Sequence, residues 1–155
     1  MATLTATITE ALTLNGKDRG STNTLTLTGI NDVYHRIVTC PASADTTIAS
    51  FRNAVSGVRS FVDLENAAYI RVTNLDGTNS VNLSLQVSVD EDGAGDASAT
   101  ILLEAGKSFI MGTPHDGITV DDDSASIVTA LGDLESLLVD PSSNTVQVEV
   151  FIATT

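Results

Sequence analysis

A chain of 155 residues and 16.1 kDa is long enough to bury one hydrophobic core without disulfide staples, and its single cysteine, Cys40, excludes an intrachain disulfide. Seven basic against twenty acidic side chains leave a formal charge of −13, which repels phosphate backbones and argues against nucleic acid as a partner. The start, MATLTATITEALTL, has neither a basic leader region nor a continuous apolar run, and no segment approaches the roughly 18 apolar residues of a membrane span. No membrane partner is expected, and the reading is of a chain made and folded, uncleaved, in a host cytoplasm.

Thr, Val and Ile supply 46 of the 155 residues, and these β-branched side chains favour a pleated, half-buried surface over a helix. The chain order agrees. Leu4, Ala6 and Ile8 alternate with Thr3, Thr5, Thr7 and Thr9, and Leu12 and Leu14 carry the strand to a turn at NGKDRG, residues 15 to 20. Leu25 and Leu27 alternate with Thr24, Thr26 and Thr28 in a returning strand, and Tyr34 to Cys40 forms a further extended run stopped by Pro41.

The middle of the chain is less decided by pattern, because Ile48, Phe51, Val55 and Val58 also fit helical spacing, as do Leu131, Leu134 and Leu138. Strand and loop are expected in both places. In YIRVTNLDGTNSVNLSLQV, residues 69 to 87, Ile70 and Val72 alternate with polar neighbours before a turn at Asn74, Asp76 and Gly77. Val81, Leu83, Leu85 and Val87 alternate after it. The expectation is a hairpin lining a core. ATILLEAGKSFIMG, residues 99 to 112, reads as two short strands broken at Ala105 and Gly106. TVQVEVFI, residues 145 to 152, points Val146, Val148, Val150 and Ile152 one way.

No linker, charge block or repeat divides the chain, so residues 1–155 are read as a single domain. Its expected fold class is all-β: an antiparallel two-sheet β-sandwich of eight to ten strands, with a jelly roll as the favoured arrangement.

Reactive constellations are sparse. Cys40 and His35 are five apart on one expected strand and project from opposite faces, which excludes a local nucleophile–base dyad. His115, beside Asp116 in TPHDG, reads as a turn residue, and two His with one Cys make a poor zinc set. The acidic clusters VDEDGAGD and VDDDSAS offer Asp90, Asp92, Asp96, Asp121, Asp122 and Asp123 as weak calcium candidates. Counted from Asp90, the fifth and twelfth positions are Ala94 and Ile101, where a calcium loop needs an oxygen ligand and a bidentate carboxylate, so solvated acidic loops are favoured.

With no Trp, two Tyr and four Phe, an aromatic sugar platform has little support. Phe151 falls on the outward face of the last strand, where two readings stand equal: an exposed aromatic suited to a protein contact, or an irregular sandwich that buries both faces there. Neither catalysis nor a cofactor is expected.

The residues then carry a resemblance. YIRVTNLDGTNSVNLSLQV followed by ILLEAGKSFIMG resembles the aromatic-Ile-Arg-Ile-Thr-Asn-x-Asp hairpin and the Leu-x-x-Gly-x-Ser-Phe strand of small virion structural proteins of tailed bacteriophages. ITEALTLNGKDRGSTNTLTLTGINDVYHRIVTCP is similar to such proteins from aquatic phages. The resemblance implies a decoration or cement protein on the outer capsid surface, a homo-oligomer whose partners are the major capsid protein and neighbouring copies of itself. It also implies that the strand at 3 to 9 or at 145 to 152 pairs with a neighbour. A tail or tail-fibre component is the alternative within the virion, and a surface adhesin, opposed by the absent leader, is the alternative outside it.

Overall fold

The computed structural model describes residues 2–52, 62–63, 66–88, 97–112, 117–120, 127–128 and 131–155. Thirteen strand segments and no helix occur among them. They are β1 (Ala2–Glu10), β2 (Thr13–Leu14), β3 (Lys17–Asp18), β4 (Ser21–Ile30), β5 (Asp32–Cys40), β6 (Thr46–Arg52) and β7 (Val62–Asp63). After these come β8 (Ala67–Asn74), β9 (Val81–Ser88), β10 (Ala97–Leu103), β11 (Ser108–Met111), β12 (Asp133–Asp140) and β13 (Val146–Thr154).

Two sheets carry the body of the molecule, one ordered β11-β8-β13-β5 and the other β10-β9-β12-β6, with β7 added in parallel at the β6 edge. All other pairings are antiparallel, and four of them are nested: β5 with β13, β6 with β12, β8 with β11, and β9 with β10. The first half of the chain thus lies antiparallel to the second, and successive pairs alternate between the sheets. That arrangement is a jelly roll of eight strands. The remaining five segments, β1 to β4 and β7, raise the total above the eight to ten expected.

Alternation accounts for the core. Val87 on β9 is fully buried; Val146, Val148, Val150 and Ile152 on β13 and Val81, Leu83 and Leu85 on β9 are buried too, and they meet Ile70, Val72, Leu134, Leu137 and Val139 between the sheets. Ile48 and Phe51 face the same interior from strand β6, and Leu134 and Leu138 lie on β12, so the helical spacing at these positions is coincidental. Val55 and Val58 lie outside the described residues.

The expected hairpin over residues 69 to 87 does not form. Strand β8 pairs with β11 and β13, whereas β9 pairs with β10 and β12, so the two strands belong to opposite sheets. A strand facing its successor across a core needs the same inward alternation as one paired with it in a sheet, so period two alone cannot separate the two cases. The connection itself decides it. Asp76 Oδ1 accepts from the backbone N–H groups of Thr78 and Asn79, both at 2.7 Å, and the buried Asn74 ties its start to Leu103 of β10. The result is an arch between sheets.

Ala105 and Gly106 break β10 from β11 as expected, and Cys40 ends β5 immediately before Pro41. In the N-terminal turn Asn15 and Gly16 adopt φ of 52° and 72°, the left-handed pair that a two-residue hairpin loop requires, and they join β2 to β3.

Candidate assembly surface

Among the described residues strands β1 and β4 pair with each other and with no other strand, forming a two-stranded ribbon outside the sandwich. Its base packs on the outer face of the sheet containing β8 and β13: Leu4, Ala6, Leu25 and Leu27 rest on Ile30, Tyr69, Ala153 and Phe151 as a second, smaller core. Farther out the ribbon has no such support. From Thr7 to Thr24 every residue except Gly20 is exposed, including Ile8, Leu12 and Leu14 at 47%, 53% and 55%. Apolar side chains thus sit in water on an arm whose two outer edges have no strand partner among the described residues.

Beneath the arm a shallow cavity of about 320 Å³ opens between Ala6, Ile8, Tyr69, Arg71, Ile110 and Phe151. Phe151 does project from the outer face of β13, but the ribbon, Tyr69 and His35 surround it, with ring centroids 6.1 and 5.6 Å away. Its apolar surface is spent largely within the chain, which matches the expectation that both faces are covered there and not that of an outward docking aromatic. The terminal strand is likewise unavailable for pairing with a neighbour, because β13 is flanked on both sides, by β5 and β8.

Beside Phe151 the outer face carries a charged trio. Glu149 accepts from Arg71 Nη1 at 2.8 Å and lies 2.7 Å from His35 Nε2, and Arg71 also donates to Thr73. The Arg71 hydrogen bond first, then that of His35, holds the Glu149 carboxyl below its ordinary value. A carboxyl depressed in the folded state stabilises the fold above its unfolded pKa, about 4.3 for glutamate, and that contribution is lost as pH falls through the lower folded value. Thermal melts across this acid range should therefore show Glu149→Gln less stable than wild type near neutrality, with the gap closing on acidification. A gap of constant size would show that the carboxylate charge is not what stabilises this face.

Sequence reasoning missed this trio because His35, Arg71 and Glu149 lie on three strands, β5, β8 and β13, far apart in the chain. Their only sequence signal is that each is polar at an outward position of an alternating strand.

The other candidates separate. Cys40 is fully buried, with its thiol pKa raised by burial, while His35 is exposed on the opposite face, so the two do not meet. His115 and Asp116, together with Asp90, Asp92, Asp96, Asp121, Asp122 and Asp123, lie outside the described residues. Among the described residues no group of three His, Cys, Asp or Glu side chains is placed to hold a metal ion, and no helix is long and apolar enough to cross a membrane.

No family model and no curated protein matches the chain. One solved structure that it resembles is from work describing Bacillus endospore appendages as a novel family of disulfide-linked pili. The match has 13% identity, covers 80% of this chain and 85% of that one, and has a TM-score of 0.45. That similarity is too remote to bear on function.

Proposed function

We propose that this chain is a non-enzymatic structural protein of a phage virion, a decoration or cement protein on the outer capsid surface, with the major capsid protein as its partner. The observation that carries the reading is the ribbon arm, which extends beyond the jelly roll, exposes Ile8, Leu12 and Leu14, and has two strand edges without a strand partner among the described residues. An isolated two-stranded ribbon is marginally stable in water, so an arm of this kind gains most from docking against another subunit. The resemblance of the β8–β9 and β10–β11 segments to virion structural proteins supports the same assignment. The charge of −13 suits an exterior position better than the wall of a DNA-filled cavity.

Such a protein stabilises a shell by adding buried intersubunit area, to an extent set by mass action. Particles lacking it should release their genome at a lower temperature, and adding back the purified chain should restore resistance. Equal heat resistance of particles with and without it would overturn the reading.

A further inference from the structure

The arm needs a receptor, and the sheet edges of the molecule differ in how they are protected. Exposed edges are normally blunted by shortness, by charge or by proline. Strand β7 has two residues and β11 has four. Strand β5 carries Arg36 in register with the inward-facing Tyr34 and Val38, its guanidinium 4.8 Å from the Tyr34 ring centroid, a charge placed at the edge of the core. Strand β10 has none of these devices. Its seven residues, ASATILL, contain no charge and no proline, its outer edge has no strand partner among the described residues, and Leu102 is 61% exposed.

The arm is matched to that edge in length, polarity and charge. Strand β1 offers nine residues, ATLTATITE, with no charge before Glu10. Its tip carries Lys17 and Arg19 around Asp18, a basic excess in a chain with twenty acidic and seven basic side chains. Strand β10 runs directly into Glu104, on a chain whose formal charge is −13. A basic tip on an acidic body is complementary to a second copy of the same body.

We infer that the arm's immediate partner is a second copy of this chain: the free edge of β1 extends the neighbour's five-stranded sheet at β10, while Ile8 and Leu12 cover apolar surface around Leu102. The inference rests on the reading of the arm as an assembly element and names what it engages. Because arm and receptor are different surfaces, the contact is heterologous, and each copy can give an arm to one neighbour and receive one from another. Decoration subunits would then be laced to each other as well as to the shell.

Two double variants of the full chain test this by complementation. Ile8→Asp with Leu12→Asp disables the arm, and Thr100→Asp with Leu102→Asp disables the receptor; all four positions are exposed, so both variants keep the strand signature in circular dichroism. In sedimentation velocity the wild-type chain should associate beyond dimers as concentration rises, and less so at high salt. Each variant alone should stay monomeric, and an equal mixture should form dimers that grow no further. A monomeric wild type, or a mixture that remains monomeric, overturns the inference. Cosedimentation with particles lacking the protein is read separately. A chain that binds particles without self-association leaves the proposed function standing, and one that self-associates without binding particles removes that function while keeping the lacing contact.

Discussion

Leu137→Ala should destabilise the fold by about 2–5 kcal/mol, a large part of the roughly 5–15 kcal/mol that holds a domain together. Leu137 is fully buried on β12, opposite Leu85 of β9 on one side and Ala49 of β6 on the other. Its removal opens a cavity at the middle of one sheet, where paired neighbours on both sides restrict collapse. Chemical denaturation should show a lower midpoint with an unchanged slope, and Leu14→Ala on the exposed arm should change stability by no more than about 0.5 kcal/mol. Equal effects at the two positions would mean that the interior is not packed as described.

Asn74 supplies the second large effect. It is fully buried, its Nδ2 donates to the carbonyls of Asn79 at 2.8 Å and Leu103 at 3.1 Å, and its Oδ1 accepts from the Asp76 N–H at 2.9 Å. One side chain therefore fixes the arch between β8 and β9 and fastens it to the end of β10. Asn74→Ala abandons all three partners and should cost roughly 3 kcal/mol, since buried groups left unpaired cost about 1–3 kcal/mol each. Asn74→Asp keeps the acceptor for Asp76 but turns a carboxylate oxygen toward two carbonyls, so a nearly isosteric change should be at least as damaging at neutral pH. An Asp variant as stable as wild type would show that the amide donors do not hold the arch.

The sheets were legible in the sequence, and their connections only in part. Alternation placed Val146 to Ile152 and Val81 to Val87 on strands with the correct inward faces and put Leu4 and Ala6 on the packed face of β1, because period two follows directly from the pleat, but it did not show that Ile8 farther along the same face is exposed. It did not say what lay across from each strand. Ile70 and Val72 pack with Leu83 and Leu85 as expected of a hairpin, yet they do so from opposite sheets.

The candidate surface was legible to a similar degree. The Thr-rich first strand was expected to offer an edge to a neighbour, and its outer edge has no strand partner among the described residues. The terminal strand was given the same role, and the structure sets it in the middle of a sheet. Phe151 was recognised as outward-facing, but its cover comes from Leu4, Ala6, Leu25 and Leu27, whose arrival on that face depends on where the ribbon folds back at Ile30 and Asp32. The pairing of His35 and Arg71 with Glu149 depends in the same way on a strand order that nested long-range pairing creates and local sequence does not encode.

The most direct measurement is cryo-electron microscopy of the phage particles in which this chain is proposed to sit. The account predicts jelly-roll density at symmetry-related positions on the outer capsid lattice, with neighbouring copies joined by density leading from the ribbon to the β10 edge. Density confined to the tail, or no density on the particle, would contradict it.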